Sequence, residues 1–356
     1  MADRGPAVDT PAMHTPSLLV AALLLLAPSL AEAGEPALGS AYRVDIEVNG
    51  GVPWIAWSDA TADGQLRVQK LDGGTWTEVG PVPGPIHAGD HIDLVFEANV
   101  PYVLFSEGMG LSLVSFEGGA WTRQGKAEFA SDISLSDPSL TFTGGVPHVV
   151  YANKEINKPD VHALFKSDDV HIWGGVDAVT SLPVGGEQPS AVSDIGDALY
   201  IAYFDREKSQ IVVNTVVDDG AKLEAVGKPV KSKSITNFLG LRADGRALYL
   251  AFEDNSNAYA PTFLQLNDKR TKWEATVAIP AGAKVGTKEL DWSEKLAVVW
   301  LDDAGEAWLI RLAKGAWTPA TKVGAGAVNY IAVASDLDRV FVATIDADRA
   351  LVVREL

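Results

Sequence analysis

The chain has 356 residues, 47% of them hydrophobic and 21% charged, which is enough apolar material for a large core and excludes a disordered chain. Its formal net charge of -18 argues against a surface built for nucleic acid or anionic lipid, because both are held mainly by clustered Lys and Arg. The absence of cysteine removes disulfides, thiolate metal sites, a thiol nucleophile and a lipidated N-terminal cysteine together.

The first predicted element is an apolar run from Leu18 to Ala27, short of the roughly 20 residues that a membrane span needs. Ala31-Glu32-Ala33 follows in the small-x-small pattern of a cleavage site. Residues 1–33 are therefore expected to be a signal peptide cleaved after Ala33, and residues 34–356 a single secreted or periplasmic domain. The charge before the apolar run is weak, since Asp3 and Asp9 offset Arg4, and both Met1 and Met13 are available as starts. Export without disulfides fits a bacterial periplasm or outer surface.

From there a phrase recurs seven times: "VPWIAWSD" at Val52, "VPYVLFSE" at Val100, "VPHVVYAN" at Val146, "ALYIAYFD" at Ala198, "ALYLAFED" at Ala247, "KLAVVWLD" at Lys295 and "RVFVATID" at Arg339. Spacings of 44 to 52 residues are those of propellers or arrays. Each phrase is preceded by another strand pattern and a tight turn, as in "VDIEVNGG" and "IDLVFEAN", and followed by a third strand such as "QIVVNTV". A fourth strand then usually opens with tryptophan: Trp76, Trp121, Trp173, Trp273 and Trp317, with Leu223 in the remaining complete unit. Four antiparallel strands per period is one propeller blade, and a phrase apolar on both pleat faces is expected where neighbouring blades cover both sides. The seventh unit stops after its third strand. The segment "ALGSAYRVDIEVN" is expected to complete it, with residues near Ala37 to Ala41 pairing around Leu351 to Arg354. The expected fold is thus an all-β, seven-bladed β-propeller of four-stranded antiparallel blades, closed by an N-terminal strand.

The unit "NG-VPYV-aromatic-S-D/E … F-GG-W-VG" resembles the degenerate repeats of secreted bacterial seven-bladed β-propeller proteins, in the wider company of kelch, tachylectin-like and sialidase-like propellers. The resemblance implies the architecture over Tyr42 to Leu356 and leaves the activity open, because this fold hosts hydrolases, lyases, lectins and inert scaffolds.

In such blades the loops between strands 2 and 3 and the crossings between blades share one side. Here both are long and variable, as in "ANKEINKPD" and "GPVPGPIHAGDH", which marks a binding face. Strand 2 ends in Asp59, Glu107, Asn153, Asp205, Asp254, Asp302 and Asp346. The acids of this series are either oxygen ligands for a hard cation such as Ca²⁺ or turn formers that bond their own backbone. The crossing "IHAGDHID" groups His87, Asp90, His91 and Asp93, residue types suited to a metal site or an acid–base pair, although the spacing matches no strong zinc signature. An ordinary polar loop is the plainer reading. Asp45 stands seven residues before its phrase as Asp93 does before its own, which puts two carboxylates on adjacent innermost strands near the channel mouth. Tyr259, flanked by Asn255 and Asn257, is either a stacking platform for sugar or a packed loop aromatic.

A sialidase-like hydrolase is poorly supported, since "KLDGGTW" at Lys70 to Trp76 falls one residue short of an Asp box and the twelve arginines do not recur at matching positions facing the channel. No G-x-S-x-G elbow occurs. The sequence favours a monomeric, non-catalytic secreted module that recognises glycan or extracellular protein through one variable loop face. The alternative is a cation-dependent hydrolase or lyase at the channel mouth, with Asp45, Asp93 and His91 as its candidates. Neither a nucleic-acid partner nor a membrane span is expected.

Overall fold

The phrase forms a strand in every repeat: Val52–Asp59, Val100–Glu107, Val146–Asn153, Leu199–Asp205, Ala247–Asp254, Ala297–Leu301 and Val340–Asp346. The computed structural model describes residues 38–356 except 83–87, 130–134, 154–159, 167–172, 176–185, 194–195, 197, 218–221, 234, 245–246, 255–259, 276–289, 294–295, 303, 314–315, 325–327 and 337–338. Among the described residues all regular structure is β, and no helix is long and apolar enough to cross a membrane. Residues Pro36–Leu356 cluster as one compact unit.

Each phrase strand is hydrogen-bonded antiparallel between the first and third strands of its repeat. In repeat 1, Gly39–Asn49 pairs Val52–Asp59, which pairs Gln65–Asp72, which pairs Thr75–Glu78. Among the described residues the repeats form six sheets rather than seven separate four-stranded blades. Three sheets have four strands, two have five, and repeats 7 and 1 share one sheet of seven. The extra strands have one cause. After its short fourth strand, the chain crosses toward the next repeat past the start of its own third strand and bonds there, as Val230–Lys231 does with Gln210 and Ile211, and Thr321–Lys322 with Trp308 and Leu309. Phe129 makes a single bridge of the same kind to Leu111.

Packing explains the doubly apolar phrase. All seven residues of Leu199–Asp205 are buried. Tyr200, Ala202 and Phe204 pack with Leu239, Leu241, Leu248, Leu250 and Phe252 of repeat 5, whereas Leu199, Ile201 and Tyr203 join Val150 of repeat 3. Alternate residues therefore serve opposite neighbours, and each large side chain so buried contributes about 1.5–3 kcal/mol. Aromatic pairs add to these seams: Trp54 meets Phe96 of the next repeat edge-on at 5.5 Å between centroids, and Tyr102 meets Phe142 at 4.7 Å. The first strands touch in ring order, 1 with 2, 2 with 3, 3 with 4, 4 with 5, 6 with 7 and 7 with 1, and a shared cluster of Ala251, Phe263, Trp292 and Trp300 joins 5 to 6. This is a propeller arrangement.

The recurrent fourth-strand tryptophan and the Val-Gly pair that ends the unit answer each other across seams. Trp121 of repeat 2 donates its Nε1–H to the carbonyl of Val79 in repeat 1 at 2.5 Å, and its ring lies by Gly80, whose φ is +60°. At Gly227, with φ +71°, a Cβ would come within 2.8 Å of Trp273 Nε1 in the next repeat. Glycine is needed there on two counts, the left-handed backbone and the indole against it.

The N-terminal strand closes the ring as expected at Leu351, over a short stretch at the start of the last strand. Gly39 and Ser40 pair with Leu351 and Ala350, and the amides of Leu38 and Ala41 donate to the carbonyls of Leu351 (2.8 Å) and Arg349 (2.9 Å). These partners lie at the start of the last strand, so the segment acts as the crossing strap of repeat 7 and not as a fourth strand further out. Ala37 lies outside the described residues.

Deleting residues 34–41 should lower the melting temperature by several degrees, on the order of the 0.5–1.5 kcal/mol that each strap hydrogen bond contributes. An unchanged transition in calorimetry would refute the strap. Trp121→Ala should cost about 3–5 kcal/mol in denaturant unfolding, since it empties a seam and strips the Val79 carbonyl of its donor.

Candidate functional site

On each first strand, one residue lies opposite the fifth residue of the phrase: Asp45, Asp93, Ser139, Ser190, Gly240, Asp291 and Ala332 in repeats 1 to 7. Three of these seven equivalent positions carry carboxylates, and all three do the same thing. Asp45 Oδ2 accepts the amide of Leu94 in repeat 2 at 2.6 Å. Asp93 Oδ2 accepts that of Leu140 in repeat 3 at 2.8 Å, and Asp291 Oδ2 that of Val333 in repeat 7 at 2.7 Å. The acceptor always reaches the residue that follows the equivalent position in the next repeat, so each aspartate latches two first strands together.

Where the preceding repeat has no aspartate, the carboxylate also caps its own strand. Asp45 follows Ala332 in the ring and accepts the amide of Ile46 at 2.8 Å; Asp291 follows Gly240 and accepts that of Trp292 at 2.7 Å. In both cases the side chain satisfies an amide that would otherwise go unpaired.

The three carboxylates keep a little solvent contact but have protein packed closely around them, so they are poorly hydrated. This desolvation raises all three pKa values. The charges of Asp93 and Asp291 push Asp45 further, well above the ordinary carboxylate range, against the amides of Leu94 and Ile46. Asp93 is brought to about 6, mainly by burial, with the Leu140 amide and Arg242 opposing and Asp291 adding. Asp291 is raised by burial against Arg242 and the amides of Val333 and Trp292. Arg242, two residues past Gly240, lies with its guanidinium 5.8 Å from the centroid of the Trp292 ring.

One layer nearer the crossings stand Arg43 and His91, two residues before Asp45 and Asp93. Both lie within irregularities in their strands, and their amides are held by Ser58 Oγ at 3.1 Å and Ser106 Oγ at 3.0 Å, the serines of the first two phrases. Arg43 lies over the ring of Tyr330 from repeat 7 at 5.0 Å. His91 is brought down to about 3 by burial and then by Arg43, so its imidazole is neutral at physiological pH, and its Nε2 is enclosed without a hydrogen-bond partner. The site therefore offers a guanidinium, a neutral imidazole and a phenol from three consecutive repeats, above carboxylates whose oxygens are largely spent on backbone.

The acids that end the phrases are engaged locally. Asp59 accepts from the amide and hydroxyl of Thr61 and from Arg67, Asp205 from the amide and ammonium of Lys208, and Asp346 from the amides of Asp348 and Ala350. Asp302, fully buried, accepts the amides of Ala304 and Glu306 and the indole N–H of Trp308 at 2.9–3.0 Å. Among the described residues no group of three or more His, Asp or Glu side chains is placed to hold a metal ion. His87, Asn255, Asn257 and Tyr259 lie outside the described residues, as do the side chains of Asp90 and Asp254.

Sequence reasoning paired Asp45 with Asp93 but missed Asp291. Repeat 6 has a shorter hairpin between its first two strands, so counting back from the phrase lands on another residue, and only the register shows the equivalence. It also passed over Arg43 and Arg242, which stand on first strands after all.

No family model matches the sequence, and no curated protein matches it. Solved structures with a similar chain path include the Hadza microbial sialidase Hz136, at 13% identity over 85% of this chain and 76% of that one, with a TM-score of 0.51. The polysaccharide lyase Uly1 aligns at 9% identity over 91% of this chain and 90% of its own, with a TM-score of 0.52. A puromycin-hydrolysing peptidase of Mycobacterium tuberculosis aligns at 15% identity with a TM-score of 0.55 over 88% of this chain, which spans half the length of that protein. At these identities the likeness is one of fold.

Asp302→Ala leaves two amides and an indole N–H without their acceptor and should cost about 1–3 kcal/mol in thermal or urea unfolding, equally with Ca²⁺ and with EDTA. A calcium-dependent stabilisation of the unsubstituted protein that disappears in the variant would instead make this acid a metal ligand.

Proposed function

We propose that the protein is a secreted or periplasmic propeller of seven repeats that recognises glycan, without turning it over, at the crossing-loop end of its channel. The observation that carries this reading is the layer of Arg43, His91 and Tyr330, drawn from three consecutive repeats and set over carboxylates already committed to latching the ring. Guanidinium and phenol groups beside a neutral imidazole suit a polar ligand rich in hydroxyls, which needs donors and acceptors in fixed places more than a formal charge. Two of the structural neighbours are by name a sialidase and a polysaccharide lyase, which is consistent with a glycan ligand. The commitment of the carboxylates supports binding over catalysis.

A cation-dependent hydrolase or lyase is the second reading, favoured by Asp93 alone. A carboxyl group with a pKa near 6 is suited to general acid work close to neutral pH.

A glycan array probed with the protein, in Ca²⁺ and again in EDTA, tests both. Selective retention of a glycan class is expected, with Arg43→Ala and Tyr330→Ala each weakening it about tenfold or more while leaving the far-ultraviolet circular dichroism unchanged. Silence across the array would overturn the reading, and release of shortened or unsaturated products from a retained glycan would favour the second.

A further inference from the structure

Two side chains at the crossing-loop end stand outside the layer of Arg43, His91 and Tyr330. Tyr42 precedes Arg43 and lies in the same irregularity of the first strand of repeat 1. Arg349 sits in the hairpin between the second and third strands of repeat 7, and its guanidinium lies 4.4 Å from the centroid of the Tyr42 ring. Two arginine–tyrosine pairs thus cross the same junction in opposite senses. Arg43 of repeat 1 lies over Tyr330 of repeat 7, and Arg349 of repeat 7 lies over Tyr42 of repeat 1.

The second pair is firmly placed and still open. Arg349 has a left-handed backbone, φ +67°, and three hydrogen-bonded neighbours hold it there. Its amide donates to the carbonyl of Asp346 at 3.0 Å, and its carbonyl accepts the amide of Ala41 at 2.9 Å. Asp346 Oδ1 accepts the amides on either side of it, those of Asp348 and Ala350. The root of the side chain is therefore fixed before any ligand arrives, which lowers the ordering cost of binding. Tyr42 remains 39% exposed with the guanidinium over its ring.

Charge also sets this pair apart. Acidic residues outnumber basic ones by 47 to 29, and Arg67, Arg123 and Arg339 each meet a carboxylate at 2.6–3.4 Å. Among the described residues Arg349 meets none, not even Asp348 beside it in sequence, and Asp346 is spent on backbone amides.

We infer that Tyr42 and Arg349 form an outer subsite that takes one acidic group of an oligosaccharide. A sugar ring packs on the open part of the Tyr42 ring, its carboxylate or sulfate pairs with the Arg349 guanidinium, and the rest of the ligand reaches Arg43, His91 and Tyr330. This inference rests on the glycan-binding reading above and adds to it the charge of the ligand. A planar guanidinium presents paired donors to two oxygens of such an acid, and tyrosine offers a sugar both an apolar face and a polar tip. The net charge of -18 sets an upper limit, because it repels a chain with an acid on every sugar. The ligand therefore carries a single acidic group on an otherwise neutral chain.

Calorimetric titration of the full chain tests the subsite, using short oligosaccharides that carry one carboxylate or one sulfate beside their carboxyl-reduced or desulfated forms. The protein is expected to bind one of the two acids about tenfold or more tightly than its neutral form, which also identifies the acid. Arg349→Gln should erase that preference and leave affinity for the neutral form within about twofold, whereas Tyr42→Ala should weaken both forms about fivefold. Both variants should melt within about 3 °C of wild type, since the pair lies at the surface. A larger loss would make the pair a clamp on the junction and overturn the subsite. Equal affinity for acidic and neutral forms, a preference that survives Arg349→Gln, or tighter binding of chains with an acid on every sugar would overturn it while leaving glycan binding intact. Failure to bind any oligosaccharide would overturn the glycan reading and the subsite together.

Discussion

Every sheet in this molecule is covered on both faces by other sheets of the same kind, and most other features follow from that constraint. A strand so placed has no solvent side, which is why Tyr200 and Ile201, adjacent in sequence, serve different neighbours and are both buried. One repeat alone would expose two apolar faces. Only a ring in which the last repeat meets the first covers them all, so stability is a property of the closed set and not of any unit.

Double coverage leaves the innermost strands with a polar problem. One edge of each is paired within its sheet, and the other faces the first strands of the neighbouring repeats. The aspartate latches answer this by lending a side-chain oxygen from one repeat to an amide of the next. Concentrating carboxylates there carries an electrostatic cost, visible in the raised pKa values of all three acids, which the amide donors and Arg242 only partly offset. Structure and candidate chemistry are therefore hard to separate at this point of the fold. The same carboxylates that would attract a proton are holding the ring, and Arg43, His91 and Tyr330 stand one layer above them.

The sequence made the repeat legible because burial on both faces writes itself as a continuous apolar run, which alternating one-sided strands do not show. The tryptophan of the fourth strand and the glycine that receives it were visible as recurring letters, although nothing in the letters said that they belong to neighbouring units. Candidate residues were less legible. Asp59, Asp205, Asp302 and Asp346 had two readings because a carboxylate at a hairpin can bond a cation or its own backbone, and each is found bonding its own hairpin. Asp45 and Asp93 were found because their hairpins have equal length; Asp291 was hidden by a shorter one.

The chain by itself determined that strands of the right length and apolarity would recur, that tight turns would separate them, and that an N-terminal segment would be needed to close the set. These depend on local pattern and on the need to bury two faces. The tertiary structure decided that the closing segment runs as a strap beside the last strand, that three aspartates reach across seams, and that Arg43, His91 and Tyr330 meet above them. Those outcomes depend on register and on contacts between residues 42 or more positions apart, and local sequence carries no record of either.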